Sequence, residues 1–251
     1  MSERKIIFEV CCGSAYDAEQ AYLGGASQVE LNSDLFHGGL TPTIGMLLEA
    51  KKRAPIPTLC MVRPREGGFC YTECEYAVML QDAKLLLQYG ADGIVFGFLK
   101  NDGTVDMERC KEMLTCIGGK QSVFHRAIDV VPDVFEALDK LIELGVTRVL
   151  TSGQAPTVPE GIETLKKMIA HANGRIEILP GGGGVFPSNA SWCMDTLGVE
   201  ALHVMAQKSR YDLSTSGNPS IHFGGALYPS NEQYFVADRD QIAGIVNAIS
   251  R

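Results

Sequence analysis

Two carboxylates, an arginine and two histidines sit at the ends of short apolar runs: Glu9 in IIFEV, Glu30 in SQVEL, Arg63 in PTLCMVR, His125 in QSVFH and His203 in EALHV. Packing alone does not explain them, because a buried charge must be paired or neutralised. Glu9, Glu30 and His125 are candidate proton carriers, and Asp129 follows just beyond His125 in FHRAID. Arg63 and Arg65 of RPREGGFCY could clamp an anionic oxygen with their guanidinium forks. Ser152 of VLTSG, and Gly181 and Gly182 of LPGGGGV, add a hydroxyl and backbone N–H donors to that candidate anion site. FEVCC ends in adjacent thiols, Cys11 and Cys12, which with His203 and Met205 form the candidate metal set. The plain alternative is a salt-bridge network of Glu9, Glu30 and Arg63 that merely plugs an interior.

Those residues need a scaffold that brings strand ends together. Short β-rich segments alternate with amphipathic helical ones eight times, from IIFEV and SAYDAEQAYLGG to EALHV and DRDQIAGIVNAIS. Eight βα units with tight returns predict one α/β domain over residues 1–251, a closed (β/α)8 TIM barrel, in which closure removes the edge strands. An open doubly wound sheet is the alternative. Chemistry in such a barrel sits at the C-terminal ends of the strands, where the polar residues fall. Period-two alternation predicts the inward sets Ile7, Glu9, Cys11; Gln28, Glu30, Asn32; and Leu59, Met61, Arg63. Cys12 is then turned toward the helices. Gln207 to about Ala237 reads as one long irregular stretch.

Composition narrows the partners. Hydrophobic residues make up 45% and charged residues 21% of the 251 residues, and no apolar run approaches membrane-spanning length. The net charge is -8 with scattered Lys and Arg, which argues against nucleic acid and anionic membrane. The N-terminus shows no secretion signal, so a cytoplasmic location and reduced thiols are expected for the eight cysteines. No organic cofactor is expected.

FEVC, GGASQVEL, GGLTPT, MVRPREGGFCY, GADGIVFG, FHRAID, VLTSG and LPGGGG, in this order, resemble the CutC copper homeostasis family over nearly the whole chain. The resemblance implies a cytoplasmic TIM barrel that forms homo-oligomers and binds Cu(I), with Cys11 matching a cysteine implicated as a copper ligand. Some animal members carry a second cysteine where this chain has Asn32, a poor substitute for a soft ion. Parity supplies a replacement: Cys11 and Met205 each lie two residues beyond an inward polar residue on neighbouring strands. A rival reading makes the protein an enzyme acting on a small phosphate- or carboxylate-bearing metabolite, with a divalent metal that could bridge the carboxylates and His203. A third is a plain oligomeric scaffold.

Overall fold

The computed structural model describes residues 6–218, 220–221 and 233–250. Eight strands form one parallel sheet in the order β7-β6-β5-β4-β3-β2-β1-β8, and β7 lies against β8 to bring the two ends together. They are β1 (Ile7–Cys12), β2 (Gln28–Leu31), β3 (Thr58–Met61), β4 (Gly93–Phe96), β5 (Gln121–Phe124), β6 (Arg148–Thr151), β7 (Glu177–Pro180) and β8 (Ala201–Val204). Helices α1 (Ala15–Leu23), α2 (Ile44–Arg53), α3 (Glu73–Gln88), α4 (Met107–Ile117), α5 (Val134–Leu144), α6 (Ile162–Ala172), α7 (Ala190–Leu197) and α8 (Arg239–Ile249) follow them one for one. The expected (β/α)8 barrel is what forms, and no helix among the described residues is long and apolar enough to cross a membrane.

Alternation divides the core in two. Phe8, Val10, Cys12, Val29, Leu31, Cys60 and Val62 point outward into the layer between sheet and helices. Leu59, Met61, Val95, Val123, Leu150, Leu179 and Ala201, joined by Ile7, fill the barrel interior. Each strand thus sends one parity to each layer, as a sheet buried on both faces requires. Gly97, of inward parity just after β4, stands beside β5 where a side chain would not fit. A Cβ there would lie 2.6 Å from His125 Nδ1, so the missing side chain is the space the imidazole occupies.

The stretch after β8 departs from the expectation of an irregular loop. Its ends pair as an antiparallel ribbon, β9 (Gln207–Tyr211) with β10 (Gln233–Ala237), while part of the stretch between them lies outside the described residues. The ribbon is tied to the barrel by the Ala237 N–H, which donates to buried Asp17 Oδ1 at 2.8 Å. Long-range pairing of a polar segment such as QKSRY leaves little local signature.

One ion crosses the interior. Arg148, 2% exposed, donates to Glu177 Oε2 at 2.7 Å and sends Nη1 to 3.6 Å from Glu9 Oε2. Removing one partner from a buried pair strands the other charge, at a cost of about 3–5 kcal/mol. Arg148→Ala is therefore expected to lower stability by about that amount in urea denaturation; a loss within the ordinary surface range would show that Glu9 does not depend on it.

Candidate functional site

The register of β1 with its neighbours builds one wall of the mouth. Glu9 stands beside Gln28 on one side and His203 on the other, and Cys11 stands beside Glu30. Glu9, 1% exposed, accepts from His203 Nδ1 at 2.7 Å and from the Gln28 amide. Burial works to raise the Glu9 pKa, but the bond and charge of His203 and the charge of Arg148 outweigh it and hold the carboxyl below its ordinary value. The reverse holds for His203. Burial alone would lower its pKa, and the carboxylates of Glu30 and Glu9 raise it instead. With Nδ1 committed to Glu9, Nε2 is the ring nitrogen left for a ligand.

Above that pair, Cys11, Glu30 and His203 present three ligand atoms within 4.8 Å of one another. Glu30 is buried and its pKa is raised, by burial first and by the Glu9 charge as well. Burial and Glu30 together push the Cys11 thiol well above its usual range. Asn32, in the position beyond Glu30, is no bystander. Its amide donates to Glu30 Oε2 at 2.9 Å and lies 3.5 Å from Cys11 Sγ, so it braces both side chains. Glu30 Oε1 remains buried without a partner. Cys11, Glu30 and His203 open on a cavity of about 340 Å³, with Met205 at its rim, 52% exposed.

The facing wall comes from β3, β5 and β7. His125, 4% exposed, accepts the Ala127 N–H on Nδ1 at 3.1 Å, which places its proton on Nε2. That N–H has no partner, although it is buried and its residue lines the cavity. Arg126 lines the cavity too, held by Nε to Asp129 at 2.8 Å and by Nη2 to Ser152 Oγ at 2.8 Å. Gly182 and Gly183 complete this wall, and a Cβ on Gly182 would lie 2.8 Å from Arg126 Cζ.

Several candidates occupy other places than the sequence implies. Arg63 lines the cavity, but its Nη1 donates to the carbonyls of His37 and Gly39 and its Nη2 to that of Gly67, so the end of its fork serves the loops while its buried Nε is left without a partner. It pairs with neither Glu9 nor Glu30, and in place of the alternative plugging network the buried ion pairs are Glu9–His203 and Glu9–Arg148. Arg65 faces away, bound to Glu75 at 2.5 Å and to backbone carbonyls. Asp129 takes bonds from Thr151, Ser152, Gln154 and Arg126, which makes it a bracket behind the wall. Ser152 spends its hydroxyl on Asp129 and Ala155, and the Gly181 N–H goes to Thr151. Cys12 is buried outside the barrel, its thiol pushed well up by burial and by Asp17. Glu9 sits beneath the mouth, not in it. Arg126, Arg148 and Gly183 escape a reading of strand ends because one lies on a short 3-10 turn, one at the start of β6 and one deep in a glycine run.

An eight-stranded βα barrel with a Cys–Glu–His cluster at the C-terminal ends of its strands is a TIM barrel with a metal-capable mouth. Its particular kind follows from comparison: the CutC family model matches residues 6–208, and the chain belongs to the CutC family. It is 51% identical over 246 residues to a CutC family protein of Treponema denticola, covering 98% of this chain and all of that one. It is 38% identical over 245 residues to the copper homeostasis protein cutC homolog of Mus musculus, covering 98% and 89% of the two. The crystal structure of CutC from Streptococcus agalactiae superposes with a TM-score of 0.75 at 33% identity, covering 79% of this chain and 98% of the other.

Burial, reinforced by the Arg63 charge, pushes the His125 pKa from 6.5 down to about 3. In the unfolded chain the ring takes up its proton near 6.5, so the stability tied to its neutral form is whole above that pH and is lost as pH falls toward 3. His125→Gln, which cannot be protonated, is expected to lose less of its urea midpoint between pH 7 and pH 4 than the wild type does. Parallel losses in the two proteins would contradict a neutral, buried His125.

Proposed function

We propose that this protein handles copper in the cytoplasm, holding Cu(I) at the barrel mouth between Cys11 and His203, with Met205 as a soft donor at the rim. The observation that carries the reading is the Cys11–Glu30–His203 cluster, which stands over a histidine already oriented by a carboxylate. Metal-binding imidazoles are commonly fixed in this way through their second nitrogen. The donor chemistry fits: a thiolate, an imidazole and a thioether suit a soft monovalent ion, and the CutC relative of the mouse bears the name of copper homeostasis.

Cys11 must lose its proton to ligate, and Glu30 is the group placed to take it. The two stand within 4.8 Å of one another, Glu30 Oε1 has no other partner, and the raised pKa of Glu30 suits it to hold a proton. Asn32 then serves as a brace where a second thiolate would add another soft ligand. The enzyme reading loses two of its proton carriers, because Glu9 and Asp129 are both occupied behind the cavity. Self-association belongs to the same proposal; Tyr211 and Phe235 on the β9–β10 ribbon are exposed aromatics that a second copy could cover.

In competition with a Cu(I) chelator, Cys11→Ser is expected to bind several-fold more weakly than the wild type, whereas Cys12→Ser, altered outside the barrel, keeps its affinity. Equal affinity of Cys11→Ser and the wild type would sink the copper site.

A further inference from the structure

The wall opposite the copper cluster is left with unspent hydrogen-bond donors. His125 Nε2–H is buried without a protein partner, on a residue that lines the cavity, a costly condition unless something accepts the bond. Arg126 commits Nε and Nη2 to Asp129, Ser152 and Ala155, and its Nη1 makes no hydrogen bond among the described residues. Gly182 and Gly183 line the same wall with positive φ of 129° and 101°, and among the described residues neither N–H has a partner. A guanidinium, a neutral imidazole N–H and two backbone N–H groups are all donors. The nearest carboxylate on their own side, Asp129, is saturated and turned behind them.

We infer that this wall binds the oxyanion end of a small metabolite, a phosphoryl or carboxylate group, seated against Arg126, the Gly182–Gly183 backbone and His125 Nε2–H. Three features support it. The backbone after the seventh strand of such barrels is a recurrent phosphate cradle, and here consecutive glycines with positive φ let the chain approach a ligand without a Cβ in the way. His125 stays neutral, so it remains a donor to the oxyanion on one nitrogen only, its other nitrogen being held by Ala127. Asp129 fixes the Arg126 guanidinium in advance, which lowers the entropy lost on binding.

Charge sets which wall the anion takes. Glu30 lies on the Cys11 side and repels it, while Arg126 provides the cation on the other. The cavity, about 340 Å³, is at the lower end of the range for small-molecule sites, so the rest of the ligand is limited to a few carbons lying over Met61 and Leu150. This inference does not rest on the copper reading, since none of its donors is a proposed copper ligand.

The test is a titration of metal-free full chain, kept in chelator, with inorganic phosphate and separately with malonate, followed by thermal unfolding and by calorimetry. The wild type is expected to show saturable binding of one or both anions, and the preferred anion identifies the oxyanion. Arg126→Met removes charge-assisted bonds and is expected to weaken binding about 10-fold or more. His125→Phe leaves the Arg126–Asp129–Ser152 bracket in place and keeps a ring beside Phe69, so it carries the test if Arg126→Met does not fold. Saturable binding weakened in the folded variants supports the site. No saturable binding of either anion, or binding unchanged in a folded variant, overturns it, and either result leaves the Cu(I) competition with Cys11→Ser untouched.

Discussion

The buried contact between Glu9 and His203 is the constraint on which the mouth depends. A carboxylate 1% exposed inside a barrel is tenable only if its charge is met on several sides, and here His203, Gln28 and Arg148 meet it. The arrangement does two things at once. It stands beside the apolar interior that includes Leu59, Val123 and Leu179, and it fixes the imidazole with Nδ1 occupied. Arg148 reaches Glu9 from the start of β6 and anchors itself on Glu177 of β7, so strands on opposite sides of the barrel are tied to one acid. The mouth chemistry is thereby coupled to the integrity of the whole sheet.

From that base the two walls acquire opposite character by register and parity. The β1, β2 and β8 side stacks Cys11, Glu30 and His203 at the rim, where burial opposes ionisation of both thiol and carboxyl, the Glu30 charge adding to it for the thiol and the Glu9 charge for the carboxyl. Among the described residues the other side has no carboxylate lining the cavity, only donors braced by groups behind them. Gly97 and Gly181 are as important here as the polar residues. Each lies at an inward position, and a Cβ would collide with His125 at the first and with Leu150 and His203 at the second. The site is made partly by what the strands leave out.

Much of this is legible in the sequence, and the boundary of legibility is physical. Strand parity is a local property with a period of two, so the inward sets Ile7, Glu9, Cys11 and Gln28, Glu30, Asn32 can be read from the chain, as can the outward turn of Cys12 and Cys60. The partners of long side chains are not local. Arg65 reads as an anion clamp until the capping box of α3 presents Glu75 to it, and Asp129 reads as a catalytic acid until Thr151, Ser152 and Gln154 arrive from another unit. The Nη atoms of Arg63 likewise meet carbonyls of two loops that the sequence does not show beside it. Conversely, Arg148 has the right parity but sits at the wrong end of its strand to be noticed by a search of strand ends. Side chains of four or five rotatable bonds find their partners only after the fold is closed.

Asn32 shows how the copper reading and the geometry constrain each other. A second thiolate in that position would add a soft ligand, but it would also add negative charge beside Glu30, whose ionisation burial and Glu9 already oppose. The amide instead donates to Glu30 and lies close to Cys11, so it steadies both without charge. In the proposed copper site the soft donors would then be Cys11 and Met205, the latter on β8's continuation, one strand to the other side of β1. In that proposal the second sulfur moves from the β2 side to the β8 side, two residues along the chain from His203, the imidazole that Glu9 already holds in place. Under the copper proposal, the departure at Asn32 would relocate the soft part of the site without dismantling it, leaving the acid-bearing β2 edge as the place for the thiol proton.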